Sequence, residues 1–258
     1  METGAQERLD SKALRDELAG FVLYAQPIVQ LESGDIDQHE VLLRLLKGKR
    51  HVGPTYFLAA AERYGMAQEI DRVVITEAIS MLEKDSAGTL DVNLSGSSIG
   101  DSELLHLIEA ELSRSSIEPS RLVVEVTETA AIGSMTSAIE FSETVKSFGC
   151  GLALDDFGVG FGSLYYLKHL PFDYVKIDGE FVRDLTSNAR DRAMVEGIVA
   201  LAGGLGMTTI AEFVGDEPTV DVLLELGVDC GQGYHLGEPA PTLTAPASAA
   251  GANGSAVK

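Results

Sequence analysis

The run "GLALDDFGVGFGSL" at residues 151–164 sets two adjacent carboxylates, Asp155 and Asp156, where an apolar segment stops and a glycine-rich one begins. Other chemistry-bearing side chains stand in the same kind of place: Glu40 in "HEVLLR", Asn93 in "VNLS", Glu125 and Glu128 in "VEVTE", Lys176 in "VKID", Glu212 in "IAEF" and Gln232 in "GQGY". A single Asn or Asp after a strand ordinarily caps a helix or closes a turn, and a lone lysine ordinarily pairs with a neighbouring acid. Glu40 and Glu125 resist that explanation, because each is flanked by apolar residues, where an unpaired carboxylate is costly to bury. Five carboxylates (Glu40, Glu125, Asp155, Asp156, Glu212) and the amide of Asn93, brought from separate strands to one rim, would repel strongly without a compensating charge. A divalent cation supplies that charge. The donors are all oxygens, and His39 and His235 offer no spaced pair, which favours Mg²⁺ or Mn²⁺ over zinc. Adjacent aspartates can serve two ions, one carboxylate bridging. Paired ions about 3.5–4 Å apart suit phosphoester hydrolysis.

Those side chains need strands that finish at a common rim. Apolar runs "FVLYAQPIVQL", "IDQHEVLLRLL", "LDVNLS", "RLVVEVTET", "GLALDD", "FDYVKID", "TTIAEFV" and "VDCGQGY" alternate for most of the chain with helical patterns, which predicts a mainly parallel sheet wrapped by helices. The helical stretches include "PTYFLAAAERYGMAQEIDRVVITEAISMLEK" and "DSELLHLIEAELSRS". In the second, Asp101 serves as N-cap, and Leu104, Leu105, Ile108 and Leu112 share one face. The expected fold is α/β, a TIM-like (β/α)8 barrel, in which chemistry collects where strands end. The first two strands are joined through the short "ESGDID", so an antiparallel strand near the N-terminus departs from a regular barrel.

A chain of 258 residues with 45% hydrophobic side chains can bury one large core. One domain is expected over residues 19–241. Residues 1–18 are charged and amphipathic, a linker or helix, and the small-residue tail 242–258 is expected to be disordered. The formal charge of −21 argues against a general nucleic-acid surface, which needs clustered Lys and Arg. Cys150 and Cys230 form no CxxC pair and read as buried free thiols. No apolar run approaches the ~18 residues of a membrane span, and the charged opening is unlike a secretory signal, so a cytoplasmic location is expected.

The segments "YAQPIVQLESGDIDQHEVLLR", "DVNLS", "VVEVTET", "LALDDFGVGFGSLYYLKHLPFDYVKID", "IAEFV" and "GVDCGQGYHLGEPAP" resemble, in order and spacing, the EAL domain, the bacterial phosphodiesterase family that opens cyclic di-GMP to linear pGpG. The resemblance covers about residues 20–241. It implies that Glu40, Asn93, Glu125 and Asp155 bind a first Mg²⁺ or Mn²⁺, and that Asp155 bridges to a second ion completed by Asp156 and Glu212. Lys176 is similar to the lysine that orients or activates the attacking water, and Gln232 to an amide lining the site. Gln26, Leu42 and Arg44 would contact the substrate, Arg44 as a fork on a phosphate. Glu128 resembles the glutamate anchoring the loop after Asp156. With Lys176, Glu212 and Gln232 it completes the implied catalytic set. Calcium is expected to bind the same carboxylates and inhibit, because its longer bonds displace the water.

The resemblance has departures. Val41 stands in the signature triplet Glu40-Val41-Leu42, Val159 for the usual threonine, Phe161 for tyrosine, Phe213 for glycine and Gly215 for a second glutamate; "RLLKGKRHVGPTYF" is shortened. None deletes an implied ligand. An alternative reading is a catalytically weak or inactive cyclic di-GMP receptor; such members generally lose a ligand or the lysine, and this chain keeps them. An aldolase-like Schiff base at Lys176 would need a desolvated neutral amine, whereas a ring of carboxylates keeps it protonated. A homodimer through Leu164, Tyr165, Tyr166 and Leu167, and fusion to sensory domains in the intact protein, are further expectations.

Overall fold

The computed structural model describes residues 20–47, 50–54, 57–84, 88–127, 134–158 and 163–241. The expectations for residues 1–18 and 242–258, for Glu128, and for Val159 and Phe161 lie outside the described residues.

Nine strands are described: β1 (Phe21–Gln30), β2 (Ile36–Lys47), β3 (Arg50–Val52), β4 (Thr89–Leu94), β5 (Leu122–Thr127), β6 (Gly151–Phe157), β7 (Tyr174–Ile177), β8 (Thr208–Ala211) and β9 (Cys230–Gly231). Eight of them close a barrel in the order β1-β9-β8-β7-β6-β5-β4-β2, with β2 pairing back onto β1. Strand β1 runs antiparallel to both of its neighbours, while the ladders from β2 through β4 to β9 are parallel. The expected TIM-like barrel with an antiparallel strand near the N-terminus is therefore the observed fold. Strand β3 is an addition the sequence pattern did not announce, a short antiparallel return on Leu45–Lys47.

The described helices are α1 (Leu58–Arg63), α2 (Ala67–Lys84), α3 (Ser102–Arg114), α4 (Met135–Ser147), α5 (Ser163–His169), α6 (Gly179–Val182), α7 (Ala189–Leu205) and α8 (Glu217–Leu226). The long helical stretch expected after Pro54 is split in two. The chain turns at Gly65, whose φ of 67° is left-handed, a conformation glycine adopts without a Cβ clash. Helix α3 begins as expected, with the Asp101 carboxylate accepting from the Glu103 N–H at 2.9 Å. Its Leu104 and Ile108 are buried, and Leu105 and Leu112 pack beside them.

The parallel strands are covered on both faces and are almost wholly buried. Their outer residues, such as Leu90, Val92, Leu122, Val124, Leu152, Leu154, Val175 and Ile177, join one core with the helices. Ile28, Ile210 and Cys230, with Tyr174 against them, form a separate small cluster of the opposite parity. That cluster lies on the inner face of the barrel. Both cysteines are buried free thiols. No helix among the described residues is long and apolar enough to cross a membrane.

Candidate active site

Side chains alternate across a strand with a period of two, so parity decides what enters the barrel. Val41, Leu43, Leu90, Val92, Val124, Leu154, Val175 and Ala211 belong to the outer core. Their neighbours Glu40, Leu42, Asp91, Asn93, Glu125, Asp155, Lys176 and Glu212 therefore share the inner face. Gln26, two residues from Ile28, and Gln232, two from Cys230, have the same parity.

At the centre lies Lys176, fully buried. Its Nζ sits 3.0 Å from Glu125 Oε2, 3.0 Å from Glu212 Oε1, 3.1 Å from Asp155 Oδ1 and 3.4 Å from Glu40 Oε2. Burial disfavours the ammonium, but Asp155, Glu125, Glu212 and Glu40 outweigh it and hold the group well above the ordinary lysine value. Glu40 is steadied on both oxygens: Asn93 Nδ2 donates to Oε1 at 2.6 Å and Gln232 Nε2 to Oε2 at 2.6 Å. Gln232 Nε2 also lies 3.2 Å from Gln26 Oε1, and Gln26 Nε2 donates to the Gly237 carbonyl at 3.0 Å.

Asp155 and Asp156 are adjacent, and in a regular strand they would face opposite sides. The pairing of β6 with β7 slips by one residue here: Leu154 faces Val175, but Phe157 faces Ile177. One extra residue on β6 is a β-bulge, a device that re-aims a side chain. Asp156 adopts a left-handed φ of 56° within it. As a result one carboxylate oxygen each from Asp155, Asp156 and Glu212 lies within 4.8 Å of the others.

These acids carry more negative charge than one lysine balances. Glu125 is raised well above an ordinary glutamate by burial, against the pull of Lys176, and among the described residues its Oε1 is buried without a donor. Burial pushes Glu212 up to about 8 against the pull of Lys176, with Asp155 and Glu40 adding to the rise. Partial burial, then Asp155 and Asp178, push Asp156 up to about 6. A crowded, oxygen-only donor set with an orphaned buried oxygen fits divalent cations, whose charge would relieve the repulsion.

Two acids escaped the sequence reading. Asp91 is fully buried on the inner face, accepts from Gln38 Nε2 at 2.8 and 2.6 Å, and is pushed up to about 7 by burial. Its signal was available: it stands two residues before Asn93 and so shares its parity. Asp71 on α2 accepts at one oxygen from the Ser95 N–H (2.9 Å), Ser95 Oγ (2.6 Å) and Ser98 Oγ (2.6 Å). It ties the turn after Asn93 to the helix.

A cavity of about 730 Å³ opens beside Glu40 and Asn93, with Leu42, Asp71, Ser95 and Ser97 on its walls. Arg44 lies on β2 beyond Leu42, its Nη1 on the Leu43 carbonyl at 3.0 Å and its guanidinium 5.8 Å from the Tyr24 ring. The structure thus brings together Glu40, Asn93, Glu125, Asp155, Asp156, Lys176, Glu212, Gln26 and Gln232, and places Leu42 on the cavity wall. Asp216 and Glu217, which follow Gly215, serve elsewhere. Asp216 caps α8 through Thr219, and Glu217 meets His235 at 2.9 Å.

A closed barrel whose strand ends converge on an acidic, lysine-centred cluster that could hold a metal ion defines the class of barrel domain. The model of one family, the EAL domain, matches residues 11–239. The chain belongs to the EAL domain family. It is 39% identical over 227 residues to the cyclic di-GMP phosphodiesterase PdeB of Shewanella oneidensis, covering 86% of this chain and 26% of that protein. It is 34% identical over 229 residues to the cyclic di-GMP phosphodiesterase PdeF of Escherichia coli, covering 86% of this chain and 30% of that protein. The chain thus spans less than a third of either relative. Among solved structures, the PaMucR phosphodiesterase in complex with c-di-GMP superposes with a TM-score of 0.84 at 34% identity, covering 89% of this chain and 96% of that one. The FimX EAL domain from Pseudomonas aeruginosa bound to c-di-GMP gives 0.83 at 30% identity, covering 93% and 98%.

Proposed function

We propose that this domain hydrolyses cyclic di-GMP to linear pGpG in bacterial second-messenger signalling. The observation that carries the reading is the set of four carboxylates around the buried Lys176, beside a cavity of about 730 Å³. Relatives and solved neighbours named for cyclic di-GMP support the choice of substrate.

In this reading Glu40, Asn93, Glu125 and Asp155 would hold one divalent ion, and Asp155, Asp156 and Glu212 would hold a second. Such a pair lowers the pKa of water and steadies the charge that develops on phosphate oxygens. Lys176, kept protonated by its acids, orients water and donates to a developing oxyanion rather than accepting a proton. Asn93 and Gln232 fix the Glu40 carboxylate from either side, which sets where its oxygens point. Leu42 gives the cavity an apolar wall, Gln26 offers an amide beside Gln232, and Arg44 forks onto a phosphate. This all-oxygen donor set would suit Mg²⁺ or Mn²⁺, and Ca²⁺, with its longer bonds to oxygen, would bind the same carboxylates and inhibit. Leu164 and Tyr165 on α5 are 67% and 57% exposed while Tyr166 and Leu167 are buried, so a two-fold contact would use the first pair. Sedimentation at high concentration checks that.

The decisive experiment incubates the protein with cyclic di-GMP and Mg²⁺ and chromatographs for pGpG. Appearance of pGpG, its loss on chelation, and inhibition by added Ca²⁺ are the expected results. Binding of the nucleotide with no turnover in Mg²⁺ or Mn²⁺ would overturn the reading in favour of a receptor.

A further inference from the structure

Among the described residues, two non-glycine residues have a positive φ: Asp156 and Phe213, both at 56°. The first is a candidate ligand, and the second directly follows another, Glu212. Left-handed backbone is unfavourable for a residue with a large side chain and marks a function when the surroundings enforce it.

The surroundings here converge on α6, the single turn that leaves β7. In the sheet β7 lies between β6 and β8, the strands that bring Asp156 and Glu212. On one side the Phe181 ring sits against Gly158, two residues after Asp156: a Cβ built there would fall 2.5 Å from Phe181 Cε2. On the other side Gly179 lies under Phe213, so closely that its Cβ would fall 2.3 Å from Phe213 Cδ2. The Arg183 guanidinium, just past the turn, covers the Phe213 ring at 4.2 Å from its centroid, within cation–π range. The peptides around Phe213 are pinned as well, the Glu212 N–H on the Ile177 carbonyl at 3.1 Å and the Val214 N–H on that of Gln232 at 3.0 Å.

We propose that α6 and Arg183 form a two-sided spacer that holds the backbone at Asp156–Gly158 and at Glu212–Phe213 at the separation the second ion requires, making Phe181, Phe213 and Arg183 positioning residues for Asp156 and Glu212. None of them offers a ligand to an ion. Their contacts hold two left-handed segments whose carboxylates must meet across an intervening strand. The inference rests on the two-ion reading above.

The test is a Mn²⁺ titration of the metal-stripped protein without substrate, followed by electron paramagnetic resonance, with thermal melting measured alongside. Wild type should take up two ions. Phe213→Ala keeps the left-handed cost but loses the ring, and should weaken the second ion by about 10–100-fold, the range for residues that orient ligands. Phe213→Gly removes the left-handed cost and should bind both ions as wild type does. Phe181→Ala and the exposed Arg183→Ala, which leaves the core intact, should weaken the same ion while sparing the first. Equal affinities in Phe213→Ala and Phe213→Gly, or wild-type titrations in Phe213→Ala and Arg183→Ala, would overturn the spacer while leaving the two-ion site standing. Failure of wild type to bind a second ion would overturn both.

Discussion

The two halves of the site are built by different means. On the β2–β4–β5 side, Glu40, Asn93 and Glu125 come from strands whose parallel ladders with one another run in unbroken register; the slip on this side falls at Asp37 in the β1–β2 ladder, before Glu40, and the pleat alone turns the three inward. On the β6–β8 side, Asp156 reaches the cluster through a bulge and a left-handed residue, and Glu212 is followed by another. In the two-ion reading the first half depends on its proposed ligands and on the barrel. The second depends also on residues that never approach an ion. Substitutions away from the ligands should therefore spare the first half and disturb the second.

The sharpest break is Glu40→Ala. It removes an inner-face carboxylate and leaves the amides of Asn93 and Gln232 without their acceptor. Turnover to pGpG should fall by more than the about 10²–10³-fold that loss of one preorganised electrostatic partner costs. A variant within tenfold of wild type, roughly 1.4 kcal/mol in barrier, would show that the regular half is dispensable.

Lys176→Met asks whether the halves are held together by one charge. The lysine's pKa is raised in the fold, so its contribution is complete below its unfolded value and is lost only as pH rises through the raised one. Across the neutral range the variant lacks a full positive charge among four acids. Removing one partner of a buried ion pair costs about 3–5 kcal/mol, and at about 2–4 °C per kcal/mol for a chain of this size the metal-free melting temperature should drop by roughly 10 °C. Added Mg²⁺ should restore more stability to the variant than it adds to wild type, because the ions supply the missing charge. Equal melting curves in chelator would sink this account.

Asp71→Ala loosens the regular half from outside. Three donors lose their acceptor, at about 1–3 kcal/mol for buried groups left unpaired, read as a lower melting temperature. Asp71→Asn keeps one oxygen and should lose less. The wild-type carboxyl is raised above 3.8 by burial, so its ionisation opposes folding as pH climbs from the unfolded value through the raised one. The Asn variant should flatten that part of the stability curve.

What the sequence made legible follows the same division. Period-two alternation in "HEVLLR", "VNLS" and "VVEVT" already turns Glu40, Asn93 and Glu125 to one face, and the eight apolar runs already close a barrel. The pattern was silent where geometry is local and irregular. Nothing in "LALDDF" announces a slip of one residue, and β3 is too short to carry a periodic signal. Asp91 was hidden among better-known neighbours although its parity was readable. Asp71 was hidden because one acid on the buried face of an otherwise ordinary helix looks like a surface residue until its partners arrive from a distant turn. Phe213 was visible only as a departure from the glycine that the family resemblance implies; its left-handed backbone gives that oddity a physical meaning.

The smallest expected effect is therefore the stability change in Phe213→Gly, and its smallness is informative. Releasing a left-handed residue of its Cβ gains about 1–2 kcal/mol. Against that, glycine frees the unfolded chain by about 0.5–1 kcal/mol relative to alanine, and losing the exposed contact with Arg183 forfeits about 0.5–1 kcal/mol. The terms nearly cancel, so the melting temperature in chelator should move by less than about 4 °C. Phe213→Ala keeps the left-handed cost and loses the same contact, so it should melt below both wild type and Phe213→Gly. If the glycine variant melted lowest of the three, the ring would be stabilising the fold by burial rather than restraining a strained backbone, and the irregular half would owe its geometry to something other than the clasp around α6.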